Sequence, residues 1–96
     1  MVIGALRMTL HLPASHSLKD KRQVVRSVLA RLQHHFAVAA AEVDDQDAWQ
    51  VATLGVSCVS NSPRHAQEML QEIYRYVEET RPDIVIQDVA VEVLRI

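Results

Sequence analysis

Four cationic side chains lie near the start of a predicted helix, and their type and spacing suit the binding of an anion. They are Lys19, Lys21, Arg22 and Arg26. A helix N-terminus carries partial positive charge and favours acidic residues in its first turn, but only Asp20 follows that rule here. Backbone N–H groups at a helix start, together with Lys and Arg side chains, can hold a phosphate group. The sequence therefore predicts an anion site at this helix.

The spacing of these residues places three of them together. Lys19, Arg22 and Arg26 recur at i, i+3 and i+7, which is one ridge of a helix. Lys21 falls nearer the apolar side, from which its long stem could carry the ammonium outward. His11 and His16 flank the preceding loop and are accessory candidates, because a protonated imidazole also attracts an anion.

The same charges have a purely structural interpretation. Residues 17–36 carry five Lys and Arg against one Asp, a formal +4, whereas residues 63–80 carry four Glu against two Arg, a formal −2. If the two helices are neighbours, these charges can pair across them. Exposed pairs contribute roughly 0–1 kcal/mol each, and each cation at a helix start costs about 0.3–1 kcal/mol. The two interpretations therefore stay open.

A second polar cluster lies near the middle of the chain, with carboxylates at Glu42, Asp44, Asp45 and Asp47. Such a cluster could bind a divalent metal, but its spacing matches no calcium loop and the required glycine is missing. A solvated hairpin turn is the favoured interpretation, and a metal-dependent hydrolase is a distant alternative. Trp49 is expected to anchor this turn to the sheet edge, with a base-stacking platform as the alternative.

No catalytic group, metal site or cofactor is predicted. The serines lie in no Gly-x-Ser-x-Gly context, and Cys58 sits in an apolar run and is expected to be buried. With only two glycines in the chain, a phosphate-binding glycine loop is absent. The chain is therefore predicted not to be an enzyme.

The hydrophobic pattern predicts a β-α-β-β-α-β order. Alternation with period two marks the strands and a 3.6-residue stripe marks the helices. Ser17 and Ser62 are predicted helix N-caps, and Pro63 is the first residue of the second helix. The strands are predicted at residues 2–12, 37–44, 49–60 and 84–96, and the helices at 18–36 and 63–80. This order predicts an α+β ferredoxin-like sandwich, a four-stranded antiparallel sheet with both helices on one face.

The face of the sheet without helices is predicted to be small and apolar, which often marks association. Aromatic residues that would stack RNA bases are missing from it, so we expect self-association or a protein partner there. Its predicted residues are Ile3, Ala5, Thr9, Val51, Thr53, Gly55, Ala90 and Leu94, with Arg7, His11 and Glu92 among them.

Composition sets the remaining bounds. The 96 residues, 49% of them hydrophobic, fit one domain spanning 1–96. A formal net charge of −2 means that any nucleic-acid binding must come from a local patch. One cysteine excludes an internal disulfide and fits a reducing compartment. No signal-peptide pattern or membrane-spanning run is present. A cytoplasmic protein without a membrane partner is expected.

Several segments together resemble the bacterial YlxP-like family: His11-Leu12-Pro13, Ser17-Leu18-Lys19-Asp20-Lys21-Arg22, Glu42-Val43, Asp47-Ala48-Trp49-Gln50 and Val59-Ser60-Asn61. The resemblance implies the ferredoxin-like fold and no known reaction, since the family is a domain of unknown function. Its members are often encoded beside translation-initiation and ribosome-maturation factors, which implies RNA or a ribosomal subunit as the partner. We therefore expect a non-enzymatic accessory protein that binds RNA or a ribosomal particle through the four cations. The alternative is a homo-oligomeric scaffold or regulatory domain that binds a protein or small ligand through the helix-free face.

Overall fold

The computed structural model describes residues 1–96 and has the predicted order of elements. The strands and helices are, in chain order, β1 (Val2–His11), α1 (Leu18–His35), β2 (Ala39–Asp44), β3 (Val51–Ser60), α2 (Pro63–Thr80) and β4 (Val85–Arg95). The strands form one antiparallel sheet in the order β2-β3-β1-β4. The predicted ferredoxin-like α+β arrangement is confirmed. Neither helix is long and apolar enough to cross a membrane.

The core lies between the sheet and the two helices, because β1 and β3 turn alternate residues toward them. Even-numbered residues of both strands are buried, except the half-buried Ser60, and their apolar side chains join the apolar stripes of α1 and α2 in one cluster of 17 residues. Thr53 is the one odd-numbered residue of these strands that is also buried. Gly4 permits a close approach of α2 to β1: a Cβ atom there would lie 2.9 Å from Cys58 Sγ and 3.3 Å from Ala66 Cβ. Cys58 is buried and unpaired.

Both helices begin at the predicted serine caps. Ser17 Oγ accepts from the Asp20 N–H at 3.0 Å, and Ser62 Oγ accepts from the His65 N–H at 3.4 Å. Each cap satisfies one of the N–H groups that a helix start leaves without a partner. The start of α1, which carries the predicted anion site, is thus fixed by its own sequence.

The strand ends differ from the prediction by one or two residues, and local hydrogen bonds explain the difference. Phe36 caps α1 through its N–H, which donates to Leu32 O, and the Val38 N–H then donates to Phe36 O. This turn delays β2 until Ala39. At the start of β3, Gln50 O still accepts from the Leu12 N–H at 2.8 Å, although the regular ladder begins at Val51.

The connection between β2 and β3 turns at Asp45, which has a φ angle of 60°. Aspartate tolerates this left-handed conformation better than most residues. The Ala48 N–H donates to Asp45 O at 3.1 Å, and Asp44 Oδ1 accepts from the Asp45 N–H at 2.8 Å. The turn therefore holds its backbone carbonyls in a fixed direction, and a side chain of α1 donates hydrogen bonds to two of them.

Candidate functional site

The exposed cations of α1 form a row, which we call the basic ridge: Lys19, Arg22 and Arg26. All three side chains are exposed, and none is in an ion pair or a side-chain hydrogen bond. The 18-residue helix carries them at i, i+3 and i+7, as the sequence predicts. The ridge is thus a set of three unpartnered charges on a rigid element.

The ridge faces the β2 side of the molecule. Gln33 lies seven residues after Arg26 on the same helical row, and its Nε2 donates to Ala40 O of β2 at 3.0 Å. On the other flank of α1, Ser27 Oγ accepts from Arg81 Nη1, just past the end of α2, at 3.4 Å. The cations therefore lie on the flank of α1 that is turned away from α2.

The structure shows no ion pair between the two helices. The chain contains three ion pairs, Lys21–Glu42, Arg64–Glu68 and Arg81–Asp83, and none joins α1 to α2. The carboxylates of α2 stay exposed or pair along their own helix. Pairing between the helices does not neutralise the basic ridge.

Lys21 does not belong to the exposed group, and the expectation that its stem reaches solvent is wrong. Its side chain is 0% exposed. Its Nζ lies 2.7 Å from Glu42 Oε2 and donates to Asp45 O at 2.5 Å and Gln46 O at 3.4 Å. The ammonium thus donates two hydrogen bonds, lies against a carboxylate oxygen and has no exposed surface, so a ligand from solvent cannot reach it.

The Lys21–Glu42 contact is mainly ionic. Glu42 Oε2 is buried and no hydrogen bond is aimed at it, although the two charged atoms are close. The sequence contained a signal for this burial. Lys21 lies four, seven and eleven residues before the buried Val25, Val28 and Leu32, which places it on the apolar stripe.

The two candidate histidines lie in different places. His16 is exposed in the loop before α1, and its backbone N–H donates to Asp20 Oδ2 at 3.0 Å. It is thus a neighbour of the helix start. His11 is half-buried and lies on the helix-free face of β1, opposite Val51 and Val85. Because α1 packs on the other face, His11 is not an accessory to the basic ridge.

The loop after β2 packs against the loop before α1. Gln50 Nε2 donates to Ser15 O at 3.1 Å, which joins the two loops. Trp49, the neighbouring residue, is 47% exposed. It is therefore only partly packed against the protein, and its exposed part lies on the loop that borders the start of α1.

The four carboxylates at residues 42–47 do not point at one common position. Glu42 pairs with Lys21, and Asp45 Oδ2 accepts from Thr53 Oγ1 at 2.7 Å. Asp44 caps a backbone N–H, and Asp47 is exposed. No three His, Cys, Asp or Glu side chains in the chain are arranged to hold a metal ion. The carboxylates act as partners within the hairpin.

Ser60 and His65 form a contact that the sequence analysis did not identify. Ser60 Oγ lies 3.1 Å from His65 Nδ1, and it also accepts from the Ser62 N–H at 3.1 Å. No hydrogen bond joins the imidazole to a carboxylate; Ser60 ends β3, and the exposed His65 lies in the first turn of α2. The arrangement lacks the third member of a hydrolytic triad and is a cap at the start of α2.

The helix-free face is apolar but less open than expected. Thr53 is 3% exposed because Asp45 and Thr9 lie against it, so it is not an accessible residue of this face. Small residues of the central strands line a shallow depression of about 640 Å³. Arg7 and Glu92 border the depression, and both are exposed without an ion pair.

Comparison with known proteins identifies the family and no activity. Residues 3–91 match the family model described as "Protein of unknown function (DUF503)". The chain belongs to this family. It is also 36% identical over 62 residues to the "Uncharacterized protein YlxP" of Bacillus subtilis (strain 168). That match covers 65% of this chain and 67% of the Bacillus protein. The expected YlxP-like membership is confirmed.

Proposed function

We propose that this protein is a non-enzymatic accessory factor that binds RNA, alone or within a ribosomal subunit, through the phosphate backbone. The observation that carries the proposal is the basic ridge: Lys19, Arg22 and Arg26 are exposed on one row and have no partner in the chain. Phosphate oxygens are strong acceptors for such side chains. Lys21 takes no part, because its ammonium is buried and occupied.

The helix sequence supports a ligand for the ridge. Lys19 lies in the first turn, where the helix dipole disfavours a cation. Arg22 and Arg26 are four residues apart, where like charges repel. Each placement costs a few tenths of a kcal/mol, and no carboxylate of the chain offsets the cost. A bound polyanion would offset both the dipole cost of Lys19 and the repulsion between the two arginines.

Two neighbouring side chains fit the same ligand. His16 stands at the start of α1 and would add a charge when protonated. Trp49 offers about half of its surface on the adjoining loop, where an unpaired base could stack. We place this function in the cytoplasm, where the unpaired Cys58 would stay reduced, and assign it to residues 1–96 acting as one domain.

A charge reversal tests the proposal. In the variant Arg22→Glu/Arg26→Glu, retention on single-stranded RNA and co-sedimentation with ribosomal particles in a sucrose gradient should be lost at low salt. Thermal stability should stay nearly unchanged, because both side chains are exposed and unpaired. Sedimentation of the wild-type protein in lysate identifies the particle.

The matched control is Arg64→Glu/Arg75→Glu, which changes the net charge equally on exposed positions of α2. It should bind RNA like the wild-type protein. Equal binding by the ridge variant and the wild type would refute the proposal. Equal loss in both variants would show that net charge, and not the ridge, controls binding.

A second candidate function is a homo-oligomeric scaffold or regulatory domain that uses the helix-free face for a protein or a small ligand. The observation that favours it is the pair of unpartnered charges, Arg7 and Glu92, beside an apolar depression. In a two-fold arrangement, Arg7 of each copy could meet Glu92 of the other, because such an interface is self-complementary.

A further inference from the structure

The two edges of the sheet differ in how they are protected against pairing with another strand. β2 has six residues and an irregular register near Glu42 and Asp44, and Gln33 of α1 binds its Ala40 carbonyl. Short, bulged and covered edges are the usual protection. β4 has 11 residues and contains neither Lys nor Pro. Its only irregularity is near its start, opposite Thr9 and Leu10. The edge formed by β4 is therefore open.

The open edge is also apolar. Val91 is 53% exposed and Val89 is 38% exposed, although both point to the side of the sheet that carries the helices. They line a groove between β4 and α2 together with Leu70 and Tyr74. Unprotected backbone groups beside exposed valines are a template for a further strand.

The sequence of β4 is complementary to itself in one antiparallel register. With Val91 on the two-fold axis, it faces the partner's Val91, and Val89 faces the partner's Val93. On the other side of the sheet, Ala90 faces the partner's Glu92, and Asp88 faces the partner's Leu94. In this register no two charges of one sign are opposite each other, so apolar pairs can form without repulsion.

The neighbouring registers are worse. An axis at Ala90 would set Asp88 opposite the partner's Glu92, and an axis at Glu92 would set two glutamates opposite each other. Like charges directly opposite destabilise a strand pair. Axes at Val89 or Val93 avoid like-charge pairs, but they set Val91 opposite the partner's Gln87 or Arg95 instead of a valine. Charge and apolar pattern together therefore favour a second copy of this chain, in the register centred on Val91, as the occupant of the edge.

We propose that β4 pairs with β4 of a second copy, antiparallel and centred on Val91, which joins two sheets into one of eight strands. The two α2 helices then lie on the same side and cover the exposed valines. This interface uses neither the basic ridge nor the helix-free face, and it leaves both accessible. It is independent of the proposed RNA binding.

Light scattering at increasing protein concentration tests the proposal. The mass should rise from 10.8 kDa to twice that value. In Val91→Lys, two ammonium groups would face each other across the axis, so the dimer should be lost. The control Val85→Lys replaces a valine of similar exposure, 51%, that lies outside the paired segment, so its dimer should persist. Circular dichroism would show that both variants keep the fold.

A cysteine pair tests the register. Val91→Cys should form a disulfide-linked dimer on mild oxidation, because residues opposite each other lie about 5 Å apart at Cβ. Ala90→Cys should not, because its two copies would be about 7–8 Å apart, beyond the reach of a disulfide. The native Cys58 is buried and does not interfere.

Several results would overturn the proposal. One is a protein that stays monomeric at its highest soluble concentration, and another is a dimer that survives Val91→Lys. Equal cross-linking at positions 90 and 91, or none at 91, would exclude this register. A dimer lost in Arg7→Glu but kept in Val91→Lys would instead place the interface on the helix-free face.

Discussion

Lys21 shows how a single residue can change roles between sequence and structure. By charge and by its place in the first turn it resembles the cations of the ridge, but its ammonium is enclosed by Glu42 and two backbone carbonyls. Removing a charge from water costs several kcal/mol unless its partners compensate. The residue therefore joins the first turn of α1 to the β2–β3 hairpin, while Lys19 and Arg22 stay exposed.

Replacement of Lys21 should affect stability and leave binding intact. In Lys21→Met, the buried Glu42 oxygen loses its counter-ion, and the free energy of unfolding should fall by about 3–5 kcal/mol. The double variant Lys21→Met/Glu42→Leu removes both charges and should recover part of this loss. Urea denaturation measures both values.

RNA affinity of folded Lys21→Met should equal that of the wild-type protein, because the ammonium reaches no ligand. A stability change below about 1 kcal/mol, a size typical of exposed ion pairs, would contradict the role given to the buried pair. A drop in affinity comparable to that of Arg22→Glu/Arg26→Glu would show that Lys21 contributes to RNA binding.

At the scale of elements, the order and the faces of the helices and strands could be predicted from periodicity alone. The alternation in β1 and β3 and the serine caps are local signals, and the structure follows them. The starts of β2 and β3 could not be predicted. The Phe36–Val38 hydrogen bond is local, but neither residue type signals it, and the Leu12–Gln50 bond joins segments that are distant in the chain.

The candidate site was predictable only in part, for the same reason. The helical row of Lys19, Arg22 and Arg26 follows from spacing, and its exposure agrees with the prediction. The spacing places Lys21 on the apolar stripe, but the partner that allows a buried ammonium there, Glu42, lies 21 positions later in the chain and could not be predicted. The alternation of β1 predicts His11 on the helix-free face, where the structure has it. Its assignment as an accessory to the helix start is inconsistent with that face.

The junction between α2 and β4 depends on an ion pair with a defined pH response. Arg81 Nε and Nη2 donate to the two oxygens of Asp83 at 2.9 and 2.7 Å. This hydrogen bonding, and secondarily the charge of Arg81, holds the pKa of Asp83 below its ordinary value of 3.8. The pair therefore stabilises the fold fully above that value, and the contribution is lost as pH falls through the lower folded-state pKa.

Asp83→Asn should make the free energy of unfolding depend less on pH. The difference between the free energies of unfolding at neutral and at acid pH should be smaller in the variant than in the wild-type protein, measured by urea denaturation. Asp88→Asn is the matched control, since Asp88 is exposed and has no ion pair. An unchanged difference in Asp83→Asn would show that the junction adds nothing to acid sensitivity.

At the scale of the whole molecule, the net charge hides a separation of charge between the two helices. The chain has a formal net charge of −2, which repels a polyanion at long range. The cations of the ridge lie on the β2 flank, and the carboxylates of α2 lie on another helix. The RNA binding proposed above would therefore rest on few, short-range phosphate contacts.

The salt dependence of RNA binding should reflect this small number. Three phosphate contacts to a single strand give a slope of about −2 in log K against log salt concentration. Affinity should therefore fall about 20-fold between 50 and 200 mM salt. Fluorescence anisotropy with labelled RNA at several salt concentrations measures the slope. A slope steeper than about −5 would require cations beyond the ridge, and a flat profile would exclude phosphate contact.

The enclosure of Lys21 also limits how this sequence can diverge. A change at position 21 alone leaves a buried carboxylate, and a change at position 42 alone leaves a buried ammonium, so the two positions can be replaced only together. The other two oxygens belong to the backbone of residues 45 and 46. Because a carbonyl is the same in every amino acid, the side chain at position 46 can vary freely. At position 45 both the left-handed backbone and the hydrogen bond from the buried Thr53 hydroxyl restrict the choice, in favour of Asp or Asn. Relatives should therefore show paired substitutions at positions 21 and 42, together with free variation of the side chain at position 46.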